Sequence, residues 1–157
     1  MTDYLDSRKK ALQQHDVAFH IFNVTFPLIK DPKLLIGVMQ NIMNSFEYSI
    51  DTILAYEREL HLISVAPQEF QAKFNLFKFK SRRRNNIPVE LTKTIDEIQE
   101  TLDLHKESPM VFQRGNKFVI CSNNYMLKTI SINDIREYLT KNMEFIRLVD
   151  NIVKFNR

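Results

Sequence analysis

The fold is decided by residues 31–63, which read DPKLLIGVMQNIMNSFEYSIDTILAYERELHLI. Asp31 and Pro32 open this stretch, and that order is typical of a helix start, since a carboxylate accepts from free N–H groups and proline needs no donor there. Apolar side chains then recur every three or four residues, which keeps them on one helix face. The pattern predicts a helix over residues 32–63, about 48 Å long at 1.5 Å per residue. Helices of this length commonly pack antiparallel in a bundle.

Further helices are predicted on both sides of this one. The first covers residues 4–26, and we expect Pro27 to stop or kink it at or near Phe26, because the residue before a proline is biased away from the helical region. Its stripe contains Leu5, Arg8, Leu12, His15, Phe19, Phe22, Phe26 and Ile29. A short helix is predicted over residues 68–80, a polar loop over 81–87 and a third long helix over 88–107.

The hydrophobic period changes after residue 109. Residues 110–130 contain three short apolar runs, separated by residues 114–116 and 122–124, which are rich in Gly, Asn and Ser. Such spacing predicts a small antiparallel β-meander with tight turns.

The last helix is predicted over residues 132–155. Ser131 and Asp134 are three apart, so they resemble a capping box with Asp in place of the usual Glu. The sequence therefore predicts a mainly helical α+β fold in a single domain over residues 1–157. It is a bundle of four principal helices with a short extra helix and a small antiparallel β-meander before the C-terminal helix.

The composition excludes several classes of site. The chain has 157 residues, with 22 Lys and Arg against 19 Asp and Glu, so its formal net charge is +3. Its only two glycines, Gly37 and Gly115, exclude glycine-rich phosphate loops and dinucleotide-binding turns. Its only cysteine, Cys121, excludes an internal disulfide and paired-cysteine zinc motifs. We therefore expect no cofactor and no bound metal.

The N-terminal sequence gives no targeting signal. It lacks a cationic segment followed by an apolar stretch, and no run approaches ~18 apolar residues. The expectation is a cytoplasmic protein without a membrane-spanning helix.

Positive charge is concentrated in residues 67–84, which contain six basic groups and one acidic group, net +5. The candidate anion-binding residues are Lys73, Lys78, Lys80, Arg82, Arg83 and Arg84. Arginine matches phosphate oxygens, and the interleaved phenylalanines can stack on bases. If all six cations meet phosphates, the log–log salt slope on single-stranded RNA is about −4.

A structural interpretation of this segment stays open. Phe70, Phe74 and Phe77 at helical spacing are typical of a core face. The cations can also pair with residues 85–109, which contain two basic and six acidic groups, net −4. That pairing can occur within one chain or across a homodimer.

Arg8 and His15 are the polar members of an otherwise apolar stripe. They lie two turns apart on one face, where a cation and an imidazole in a shared cleft can hold a phosphodiester and move its proton. The alternative is that Arg8 lies in solvent and His15 is hydrogen-bonded in the core.

The segment from Arg8 to His15 fits an Arg-x(4–6)-His pattern, and with the long helices it resembles HEPN domains, many of which are ribonucleases. The resemblance implies that Arg8 and His15 form a catalytic pair, acting on RNA without metal across a dimer.

Taken together, the residues favour a non-catalytic helical binding protein whose partner is RNA or another polyanion. Two alternatives remain: a metal-independent HEPN-like ribonuclease, and a structural or oligomerisation module with no nucleic-acid role.

Overall fold

A computed structural model describes residues 4–107, 110–121 and 127–154. It is 76% helical, with five helices and a three-stranded antiparallel sheet before the C-terminal helix. The predicted fold class, mainly helical α+β, is confirmed.

Helix α1 covers residues 4–29 and passes the proline that was expected to stop or kink it, so the predicted end at Phe26 is three residues early. It consists of an α-helix over Tyr4–His20, a π-helix over Ile21–Thr25 and a last α-helical turn over Phe26–Ile29. In a regular α-helix the ring of Pro27 would clash with the carbonyl four residues earlier. The wide π turn directly before the proline changes that spacing, so the helix continues until Lys30, which has φ 61°.

Helix α2 covers Lys33–Glu59 and is shorter than predicted. It begins as expected, with the Asp31 carboxylate accepting from the backbone N–H of Lys33 at 3.0 Å. It ends four residues early because His61 adopts a left-handed φ of 61°. The N–H of Leu62 then donates to the carbonyl of Glu57 at 2.9 Å, the long bond of a Schellman motif. At 27 residues the helix is about 40 Å long.

Helix α3 covers residues 70–84, so the predicted loop over 81–87 is wrong at its start. The helix has a central π turn over Phe77–Ser81 and ends with Arg82–Arg84. The chain reverses at Asn86, which has φ 53°. The arginines therefore lie on the last helical turn of α3 and not in a loop.

Helix α4 covers Val89–Glu107, within one residue of the prediction. Strands β1, Met110–Arg114, β2, Lys117–Cys121, and β3, Leu127–Ser131, form an antiparallel sheet in the order β1-β2-β3. The predicted meander is thus confirmed, with Gly115 at φ 60° in its first turn. The expected turn at 122–124 lies outside the described residues.

Helix α5 covers Ile132–Ile152. The predicted capping box is present, with the Ser131 hydroxyl accepting from the Asp134 N–H at 3.0 Å and the Asp134 carboxylate accepting from the Ser131 N–H at 2.9 Å. The helix ends three residues before the predicted end at residue 155, since Val153 is its C-cap and Lys154 has a left-handed φ of 55°.

The core lies around α2, which packs against α1, α4 and α5. Three phenylalanine rings join it to α3 and α5: Phe145 lies 5.7 Å from Phe46 and 5.5 Å from Phe77, between ring centroids. Phe74 and Phe77 are fully buried, so the core interpretation of these two α3 rings is confirmed.

Candidate functional site

The structure separates the six candidate cations into buried and exposed groups. Lys73 is buried, and its Nζ lies 2.6 Å from an oxygen of Glu47 and 2.9 Å from one of Asp51. Burial lowers the pKa of Lys73, but its hydrogen bonds and ion pairs with both carboxylates outweigh burial and hold that pKa above its usual value. Lys73 is a permanent cation already neutralised by α2, so it has no charge to spare for an outside anion.

Arg84 is also neutralised by α2. Its Nη1 donates to Glu57, whose side chain is only 2% exposed and also accepts from the Ser81 hydroxyl. Arg82 donates from Nη1 to the carbonyl of Ile87 at 3.1 Å. Internal charge pairing is therefore present, but the acids come from α2. The alternative from the sequence was pairing with the acidic residues of 85–109, but within the described ranges no ion pair links these arginines to helix α4.

Arg84 is partly exposed as well, but its charge is paired with Glu57. Four other residues of α3 are exposed or half-exposed and have no such pairing among the described residues: Lys78, Phe79, Lys80 and Arg83. We call them the α3 basic face. The Phe79 side chain is 58% exposed, and the Nζ of Lys78 lies 5.6 Å from its ring centroid. Among the described residues no carboxylate forms an ion pair with these three cations. An exposed ring between free cations is the combination that single-stranded nucleic acid requires.

Arg8 does not reach solvent and does not meet His15. Its Nε and Nη2 donate to the two carboxylate oxygens of Asp150 on α5, at 2.8 and 3.0 Å. Such a two-point contact fixes the guanidinium plane and ties the first turn of α1 to the last turns of α5. The bond raises the pKa of Arg8, so it stays charged.

His15 is buried and hydrogen-bonded in the core, as the alternative to a catalytic role had predicted for this residue. The Ser45 hydroxyl donates to the carbonyl of Ala11 at 2.7 Å, so its oxygen must accept from Asn142 Nδ2 at 2.8 Å. The same Nδ2 lies 2.9 Å from His15 Nδ1. Because an amide nitrogen only donates, Nδ1 accepts, and the ring is neutral with its proton on Nε2.

Electrostatics agree with a neutral imidazole. Burial lowers the pKa of His15, and the charge of Asp16 only partly opposes that effect. The partners of His15 and Arg8, Asn142 and Asp150, are eight residues or about 12 Å apart on α5. The two side chains are therefore held at separate points of the interface between α1 and α5.

Two cavities of ligand size include candidate residues from the sequence, Lys73 in one and His15 in the other. The larger, about 790 Å³, lies beside the C-terminal half of α2 and includes Asp51, Arg58, His61 and Lys73. Burial holds the pKa of Asp51 above its usual value, despite the neighbouring ammonium. The smaller, about 500 Å³, lies between α1 and α5 and includes His15. Neither was visible in the sequence, since each joins residues that are distant along the chain.

Two further classes of site were sought within residues 4–107, 110–121 and 127–154. No group of three or more His, Cys, Asp or Glu side chains there is arranged to hold a metal ion. No helix in these ranges is both long and apolar enough to cross a membrane.

No protein-family model, curated protein or solved structure matches this chain. The HEPN resemblance therefore stays a prediction.

Proposed function

We propose that this chain is a helical binding protein for single-stranded RNA, which it contacts through the α3 basic face. The observation that carries the proposal is the exposed Phe79 ring, placed between Lys78 and Lys80 with Arg83 one turn further along. The ring offers a stacking surface for a base, and the three cations offer phosphate contacts without a competing carboxylate.

The reduced number of free cations changes the expected salt dependence. Lys73 and Arg84 are held by acids of α2, and Arg82 is half-buried, so three cations remain for phosphates. The log–log slope of affinity against salt is then about −2 rather than −4 on single strands. A sequence-tolerant contact of this size gives modest affinity, carried mainly by charge and stacking.

The test is fluorescence polarisation of labelled single-stranded RNA across a salt series. We expect Lys80→Gln with Arg83→Gln to bring the slope close to −1, since about 0.7 is lost for each cation. Phe79→Ala should weaken binding about tenfold at every salt concentration, because stacking contributes roughly 1–3 kcal/mol per base.

The matched control is Lys93→Gln with Lys106→Gln, which removes two exposed cations from α4. It should leave both slope and affinity near the parent values. Equal losses in the two double variants would reject the α3 basic face in favour of net charge alone. Unchanged binding in all variants would reject the α3 basic face as the RNA contact. No binding of RNA by the parent protein would leave the structural module as the function.

The ribonuclease is a second candidate because His15 lines a cavity that also contains two arginines. It predicts RNA cleavage in EDTA that is lost in His15→Ala, whereas Arg8, which is paired with Asp150 at a separate point, does not line this cavity. Cleavage that survives His15→Ala would exclude this histidine as the catalyst.

A homodimer and a cytoplasmic location belong to the same proposal. The dimer predicts a mass of twice 18.7 kDa by light scattering at micromolar concentration. A constant monomer mass on dilution and concentration would count against it.

A further inference from the structure

The cavity of about 500 Å³ between α1 and α5 has the chemistry of an anion site. His15, Phe19 and Asn23 line it from α1, and Arg136, Thr140 and Arg147 from α5. None of the described residues that line it carries a carboxylate. Its charge is therefore set by two guanidinium groups, and its size lies in the range of small-molecule sites.

His15 contributes a donor to this cavity. Its Nδ1 is used by Asn142, so Nε2–H is the polar group that remains for a ligand. Among the described residues, the buried side-chain atoms without a partner are Arg82 Nε and Asn142 Oδ1, and His15 Nε2 is not one of them. It is therefore open to the cavity that the residue lines.

The two arginines have N–H groups to spare. Arg136 donates one to Asn133 Oδ1 at 2.7 Å and lies over the Phe22 ring at 5.7 Å, which fixes its position. Arg147 is exposed, and no ion pair within the described residues involves it. Glu144, one turn before Arg147, lies 3.6 Å from Lys141 instead.

The distance between the arginines selects the ligand. They are eleven residues apart on α5, about 16 Å along the helix, and both side chains lean toward its N-terminus. A single phosphate cannot bond both guanidinium groups over that distance. A ligand that uses both must carry two anionic groups separated by a body that lies against the middle of the cavity.

The middle of the cavity suits a flat body. The Phe19 ring is 55% exposed and stacks near the His15 ring, with centroids 6.4 Å apart. Met143 adds an apolar contact from α5. An aromatic base can stack on Phe19 while His15 Nε2–H and the Thr140 hydroxyl bond its polar edge.

We propose that this cavity binds an organic phosphate in which two phosphate groups are joined through a nucleoside whose flat base stacks on Phe19, the chemistry of a 5′-phosphorylated dinucleotide. A free dinucleotide and the 5′ end of an RNA strand both present this chemistry. The inference does not rest on the α3 basic face, since no residue of that face lines the cavity.

The experiment is calorimetry and ¹H–¹⁵N NMR titration with the dinucleotide pApA, which has two phosphates, and ApA, which has one. We expect pApA to bind at least tenfold tighter, since a charge-assisted hydrogen bond is worth about a factor of ten or more. Amide shifts should fall on α1 residues 15–23 and α5 residues 136–147. Arg136→Gln and Arg147→Gln should each weaken pApA binding about tenfold.

Arg83→Gln is the matched control, because it removes an exposed arginine of the α3 basic face and should leave pApA binding unchanged. Its effect on long RNA tests the proposed function separately. Equal affinity for pApA and ApA, or an Arg147→Gln variant that binds pApA as the parent does, would overturn the cavity proposal.

The two sources are separated by a twelve-nucleotide RNA with a 5′-phosphate, measured in the Lys80→Gln, Arg83→Gln background. Binding equal to that of pApA identifies an RNA end as the ligand. Binding tenfold weaker identifies the free dinucleotide, and both results support the site.

Discussion

At the scale of single residues, the contacts of His15 leave its protonated form without an acceptor. Nδ1 accepts from Asn142 Nδ2, so a proton on Nδ1 would place two donors against each other. Burial also lowers the pKa of the ring, against the raising effect of Asp16. The folded protein therefore binds a proton at His15 less readily than the unfolded chain does.

The sign of the pH effect follows from that difference. As pH falls below about 6.5, the unfolded chain takes up the proton first, so His15 contributes stability above that pH and loses it as pH falls toward the lowered folded value. His15→Gln keeps an oxygen that can accept from Asn142 but does not titrate. We expect the parent to lose more unfolding free energy than His15→Gln between about pH 7.5 and 5.5, by urea denaturation.

A parallel decline of the two proteins over that range would contradict the neutral, buried imidazole. His61→Gln is the control, because His61 is exposed and lies outside the interface between α1 and α5.

The sequence identified His15 but not its partners. His15 interrupts the apolar stripe of α1, and Asn142 interrupts that of α5. A polar residue within an apolar stripe is the sequence signal for a buried polar contact. That Asn142 meets His15, 127 residues away, is set by how the two helices pack. The same holds for Arg8 and Asp150, which are 142 residues apart.

At the scale of elements, the ends of α2 show which boundaries local sequence determines. Asp31 caps the start of α2 and Ser131 caps the start of α5. Each capping bond joins residues only two or three apart, so the local sequence predicts these helix starts. The end of α2 depends on a left-handed histidine, where glycine would be the usual signal. Helix α1 similarly continues past Pro27 because of a π turn, and no residue pattern in the sequence predicts that turn.

The left-handed conformation of His61 predicts a stabilising substitution. A residue with a Cβ pays roughly 1 kcal/mol in this region, whereas glycine adopts it freely. We expect His61→Gly to raise the free energy of unfolding by about 0.5–1 kcal/mol, measured by urea denaturation. Lys93→Gly, in the middle of α4, should lower it by about 1 kcal/mol. A lower free energy of unfolding in both variants would mean that the left-handed conformation of His61 is not what ends α2.

At the scale of the whole molecule, two ion-paired groups fasten α3 to α2. Lys73 meets Glu47 and Asp51 near the start of α3, and Arg84 meets Glu57 at its end. The burial of Phe74 and Phe77 between these points completes the contact. Two of the six candidate cations thus hold α3 against α2, and this position leaves Lys78, Phe79, Lys80 and Arg83 exposed or half-exposed.

This division of roles predicts opposite results for neighbouring arginines. Arg84→Met leaves the buried Glu57 carboxylate without its cation, which costs about 2 kcal/mol after allowance for the third of the Arg84 side chain that is exposed. Adding Glu57→Gln removes the stranded charge and should recover most of that loss in a double-mutant cycle. Arg83→Met should leave unfolding unchanged and weaken RNA binding, whereas the double variant should bind RNA nearly as well as the parent. Two results would contradict this division between anchoring and exposed cations on α3. One is that the stability losses of Arg84→Met and Glu57→Gln simply add in the cycle. The other is that the Arg84→Met, Glu57→Gln variant loses as much RNA affinity as Arg83→Met.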